Sequence, residues 1–254
     1  MGSKTGIFRK PFSFILLSVF ILWIILFGLI LPENNILPGP LTVLTSFPAL
    51  FEDYNFLTHF FTTISAIYLP GILAFLFIYL IREFIFRETG IAKYFIEFIS
   101  QLSVFVPALL VAVLVVFWFP TSFFIEYVFS FIISVVWGMK IVHLTGEVRN
   151  ENYFVAFKSL GGDKAFLDKN ILWNEIKPEV IKSLFHYHLQ LWTLILIFEF
   201  IHDSYGLGVI LRRTLTYHDF SVLLLMIILI PVLILGGYYF LKYLENKFIF
   251  WEAE

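Results

Sequence analysis

Four stretches of the chain carry no Asp, Glu, Lys or Arg at all: residues 12–31, 60–81, 102–119 and 220–241. Their lengths of 20, 22, 18 and 22 residues suit a helix rising about 1.5 Å per residue through a hydrocarbon core of roughly 30 Å. Two weaker stretches lie between them. Residues 121–139 are interrupted only by Glu126, and residues 183–201 contain His186, His188, Gln190 and Glu199. Polar groups inside a span are costly in lipid, so those of 183–201 are predicted to turn toward protein or water. Counting both weaker stretches gives six spans, with Pro70 and Pro107 placed to kink two of them.

The polar intervals orient this bundle. Of the 17 Lys and Arg residues, all but Arg212 and Arg213 fall on the side shared by both termini. By the positive-inside rule both termini are therefore cytosolic. Lys4, Arg9 and Lys10 precede the first stretch, but its full length argues for a retained anchor rather than a cleaved signal. The segment 32–59 has no Lys or Arg and is predicted to be external, with a shaped crossing or interfacial helix at Leu37-Pro38-Gly39-Pro40. The largest cytosolic segment, 140–182, mixes charge with Phe154, Phe157, Leu160, Phe166, Leu167, Ile171 and Leu172. That spacing permits short amphipathic helices broken at Gly161 and Gly162, either lying beneath the bundle or docking a cytosolic partner.

Composition narrows the class further. Of 254 residues, 60% are hydrophobic, 33 are Phe and 14% are charged, against about a quarter charged in soluble domains. A net charge of -2 suggests no polyanionic partner, so no nucleic acid is expected. With no Cys, disulfides and cysteine-held metals are excluded. The six scattered His residues match no recognised ligand spacing, and no metal site is assigned. A phosphate loop of the Gly-x-x-x-x-Gly-Lys-Ser/Thr type is absent, so this chain is not expected to hydrolyse ATP. No nucleophile and base occur in a local catalytic pattern, and no catalytic residue is assigned.

Three short segments occur in an order that resembles a known family. They are Leu37-Pro38-Gly39-Pro40-Leu41-Thr42-Val43, then Val155-Ala156-Phe157-Lys158-Ser159-Leu160-Gly161, then Ser204-Tyr205-Gly206-Leu207-Gly208-Val209-Ile210-Leu211. Over about 37–251 the chain resembles the inner-membrane permease subunits of bacterial ABC importers, in the nitrate, sulfonate and taurine branch that also includes thiamine-precursor relatives. The resemblance departs at Val155, where the family has a glutamate, and at Trp173-Asn174, where it has Leu-Pro.

The resemblance implies a single all-α permease domain over 1–254 with six transmembrane helices of the type I importer kind, in the bacterial cytoplasmic membrane. Coupling helices would lie in 140–182, between spans 4 and 5. Implied partners are two cytosolic ABC ATPase subunits binding ATP and magnesium, a second permease subunit (identical or divergent) and an external solute-binding protein, besides lipid. Implied coupling residues are Val155, Ala156, Phe157, Ser159, Leu160, Gly161 and Gly162. Gln190, Glu199 and Glu126 are candidates for the translocation path, because intramembrane polar side chains often face cavities. Glu126, near the start of span 4, and Glu199, near the end of span 5, are expected to approach one another on the external side, as a cation-attracting vestibule, a protonatable pair or partners of Arg212 or Arg213. A membrane scaffold or assembly subunit derived from such a permease is the alternative reading, and an ion-coupled carrier using Glu126 or Glu199 is a third.

Overall fold

A computed structural model describes residues 10–30, 36–85, 91–120, 122, 124–147, 159 and 173–248. Every regular element among the described residues is helical. In chain order these are α1 (Lys10–Ile25), continued by a π-helical turn (Leu26–Ile30), α2 (Pro40–Thr45), α3 (Phe47–Glu52), α4 (Phe56–Ile85) and α5 (Ile91–Phe105). There follow α6 (Ala108–Trp118), α7 (Ile125–Glu147), α8 (Trp173–His202), α9 (Leu207–Thr216) and α10 (Phe220–Phe248).

Among the described residues, four segments are long and apolar enough to cross a membrane: Phe56–Arg82, Ile125–Val142, Val180–His202 and Phe220–Lys247. They coincide with four of the six predicted stretches. Helices suit that role because each satisfies its own backbone groups without water. Large apolar side chains point outward, among them Leu80 at 73% and Phe117 at 75% exposure, a surface suited to lipid rather than water. The chain is a multi-pass helical membrane protein.

Of the first predicted stretch, 12–31, the described residues 12–30 are all helical, in α1 and then the π turn. The 102–119 stretch differs from its reading as one kinked span. Pro107 adopts φ -59° and ψ 127° and separates α5 from α6, which has 11 residues. Proline has no N–H to continue the ladder and pushes the residue before it toward an extended backbone. Eleven residues rise only about 16 Å. In contrast, Pro70, Pro178 and Pro231 are accommodated inside α4, α8 and α10.

The chain divides into two compact units, one comprising Met1–Phe56 and Ile210–Pro231, the other Leu57–Val209 and Val232–Glu254. In the first, Pro40 opens α2 directly after Gly39, a position where the missing proline N–H costs nothing. Gly39 lies against the π turn, where an added Cβ would come 3.2 Å from the Phe27 carbonyl oxygen. Val43 of α2 and Leu50 of α3 are buried, and Phe47, Phe51 and Phe56 form a chain of ring contacts at 5.2 and 5.4 Å. At the start of α10, Asp219 Oδ1 accepts the Val222 N–H at 3.2 Å, a cap supplied from within the turn. Its Oδ2 accepts the Tyr54 hydroxyl at 3.0 Å. Burial, and then the neighbouring Asp219 carboxylate, push the Tyr54 hydroxyl above its ordinary range, so it stays a donor.

In the second unit α7 packs against α5 and α8, and α6 packs against both α7 and α8. Ile78, Ile96, Met139, Ile141, Val142 and Val180 form a common apolar core. Gly138 makes room for the end of the Ile78 side chain. Farther along, Gly237 lies where the Tyr68 hydroxyl and the His188 ring approach its backbone. His188, a polar group within a span, is buried there against Tyr68 and contacts the Ile234 carbonyl at 3.3 Å. This contact supplies the partner that a histidine in apolar surroundings needs.

Candidate functional site

The polar groups of the second unit gather where α8 ends and α9 begins. Asp203, with φ 55°, and Gly206, with φ 112°, turn the chain between the two helices. A helix start leaves its first N–H groups without intrahelical acceptors. At α9 each of these finds one. The Gly206 N–H donates to His59 Nδ1 at 2.9 Å, the Leu207 N–H to Thr63 Oγ1 at 2.8 Å and the Gly208 N–H to Glu199 Oε2 at 2.8 Å. The Val209 N–H donates to the Gly206 carbonyl at 3.1 Å. His59 and Thr63 stand one turn apart on α4, so one face of that helix supplies two of the acceptors.

The hydroxyl of Thr63 closes the network by donating to Glu199 Oε1 at 2.6 Å. Glu199 therefore accepts through both oxygens while only 1% exposed. A carboxylate at a helix N-terminus suits the N–H groups and dipole there. Since His59 Nδ1 accepts, the ring proton must sit on Nε2. His202, on the last turn of α8, is tied to Ser204 Oγ at 2.7 Å and to the Phe119 carbonyl at 3.3 Å.

Both glycines are required by this packing. A Cβ on Gly206 would run into the Glu199 carboxyl, and its φ lies in the region glycine favours. On Gly208 it would overlap the Leu196 carbonyl oxygen and the backbone nitrogen of Phe200. The Gly-Leu-Gly segment is thus a close backbone approach of α9 to α8.

Glu126, in the first turn of α7, completes the arrangement. It is 3% exposed, and its carboxyl group lies beside that of Glu199, near enough for the two to interact. Its Oε1 has no partner, and neither has Ser130 Oγ, buried one turn farther along α7. Two carboxyl groups in contact, with one amply supplied with donors and the other not, can hold a proton between them. No group of three or more His, Asp or Glu residues among the described residues is placed to hold a metal ion.

The structure therefore brings Glu126 and Glu199 together. Gln190 does not join them: it is on an exposed part of α8, roughly 13 Å along the axis from Glu199. Of the coupling residues, Ser159 is helical and exposed, whereas Val155, Ala156, Phe157, Leu160, Gly161 and Gly162 lie outside the described residues. So does most of the 140–182 segment, between Glu147 and Trp173. Sequence reasoning missed His59 and Thr63. His59 sits at the edge of a charge-free stretch, and Thr63 is one of several hydroxyl residues inside it. The available signal was their spacing of four, which places them on one helical face.

Comparison with family models, curated proteins and solved structures found no match to this chain.

Proposed function

We propose that the chain is a transmembrane permease subunit of an ATP-driven importer, moving a small solute across the bacterial cytoplasmic membrane. In this reading it has six spans of the type I importer kind, with both termini cytosolic. Two ATPase subunits bind ATP and magnesium and drive the cycle, a second permease subunit completes the path, and an external binding protein delivers the solute. The chain itself is not an enzyme. The 140–182 segment carries the coupling contacts through Val155, Ala156, Phe157, Ser159, Leu160, Gly161 and Gly162, with Phe157 as an apolar anchor. The solute class is a small anion such as nitrate, a sulfonate or taurine, or a heterocycle of the thiamine-precursor type.

One observation carries most of this reading. The Ser204 to Leu211 segment, the third point of resemblance, is the turn after α8 together with the start of α9, and buried hydrogen bonds fix it. Its glycines are demanded by backbone approach, and this is the feature on which the reading leans. The first segment likewise shapes a helix start at Gly39 and Pro40.

Purification from the native membrane tests the proposal. An ATPase should accompany the chain, and ATP-dependent solute uptake should be lost when Ala156, Phe157 and Leu160 are replaced by Asp. Stable assembly without an ATPase, with uptake unchanged by those replacements, sinks the importer reading in favour of a scaffold. Uptake driven by an ion gradient without ATP favours a carrier.

A further inference from the structure

We propose that Glu126 and Glu199 form a proton-binding site, in which one proton is held between the two carboxyl groups and Glu126 is its donor to Glu199. This goes beyond the permease reading and does not rest on it.

Hydrogen bonding between two carboxyl groups requires a proton, because a carboxylate can only accept. The surroundings decide which partner carries it. Glu199 already accepts from Thr63 Oγ1 at 2.6 Å and from the Gly208 N–H at 2.8 Å, one through each oxygen. Both interactions, together with the start of α9, suit negative charge on Glu199. Glu126 has no such support. Its Oε1 is buried without a donor, and the nearest hydroxyl along its helix face, Ser130 Oγ, is buried and unpartnered as well. An ionised carboxylate with a bare buried oxygen is far more costly than a neutral acid in the same place. That orphaned oxygen points to a proton as the ligand, independently of the two acids being neighbours.

The other groups around the pair leave the assignment standing. From α4 come Thr63 and His59, the latter held by the Gly206 N–H with its Nδ1 as acceptor. From α8 comes His202, engaged by Ser204 and the Phe119 carbonyl. Residues Leu207 to Val209 of α9 and the whole of α6 carry no ionisable side chain. α5 meets α7 around Met139 and Val142, roughly 20 Å along the helix from Glu126. Losing the proton would set two anions in contact and oppose the hydrogen bonds that hold the start of α9, so occupancy of the site and docking of α9 are linked.

Infrared spectroscopy of the full chain in lipid bilayers tests the site without any solute or ATPase. Wild-type protein at neutral pH should show a protonated-carboxyl carbonyl band that moves on glutamate isotope labelling. Glu126→Gln should abolish it, Glu126→Asp should shift it and Glu199→Gln should keep it. Absence of the band from wild-type protein overturns the proposal, whether or not any variant folds. A band that survives Glu126→Gln, or that only Glu199→Gln removes, also overturns it. Failure of the importer reading would appear in uptake and copurification and leave this band untouched.

Discussion

Two helix starts in this protein solve one problem in opposite ways. At α10 the acceptor is local: Asp219 binds the N–H of a residue three positions on, and Tyr54 reinforces it from a separate part of the chain. At α9 two of the acceptors come from α4, 147 and 144 positions away, and the third from Glu199, 9 positions back. A local cap forms as soon as its helix does and stabilises mainly that helix. A cap assembled from distant residues forms only when three helices are in place, so it holds tertiary structure as well.

The contrast can be broken most severely at Gly208. Gly208→Ala should cost more than ~3 kcal/mol, because the new Cβ meets backbone atoms that cannot rotate aside. Thermal unfolding in detergent should show a large loss or failure to accumulate; a near-wild-type midpoint would refute the close approach of α9 to α8. Glu199→Ala comes next, at about 2 kcal/mol, since it strands the buried Gly208 N–H and leaves the Thr63 hydroxyl only its longer bond to the His59 carbonyl. Hydrogen exchange should then accelerate at the start of α9, and unchanged exchange there would count against a distributed cap.

The local cap should be cheaper to lose. Asp219→Ala is expected to cost about 1 kcal/mol, with increased exchange confined to the first turn of α10. The smallest effect belongs to Tyr54→Phe, about 0.5–1 kcal/mol at neutral pH, read by the same unfolding measurement. Its pH dependence has a definite sign. The Tyr54 hydroxyl is pushed up in the folded state, so its contribution is complete below about pH 10, the unfolded value, and is lost as pH rises beyond it. The gap between wild type and Tyr54→Phe should hold constant from pH 6 to about 9 and narrow above 10. A gap that widens in alkali would contradict the donor role of Tyr54.

The same contrast explains what could be read from the chain. Stretches free of charge, such as 60–81 and 220–241, appear within long apolar helices because lipid imposes a simple length and composition rule. Pro107 was visible, but whether a proline kinks or ends a helix depends on partners for the freed carbonyls, and only packing supplies those. Pro70 and Pro231 stay inside helices while Pro107 does not. At the site, Glu126 and Glu199 stood out as acids in apolar surroundings. His59 and Thr63 did not, because nothing near them in sequence announces that they will meet a helix start so far away. The glycines could be matched to a pattern, yet their reason lies in the backbone of Leu196 and Phe200.

Thr63 is 144 positions ahead of the N–H it finally accepts. At the usual pace of synthesis, about 5–20 residues per second, α4 enters the bilayer roughly 7–30 s before α9 exists. Over that interval its hydroxyl can use the partner it still keeps in the finished structure, the carbonyl of His59 one turn earlier in the same helix, at 3.2 Å. The side chain that later joins three helices is therefore able to travel into lipid with its polarity already masked, and the order in which the chain is made need leave no bare hydroxyl waiting in the membrane.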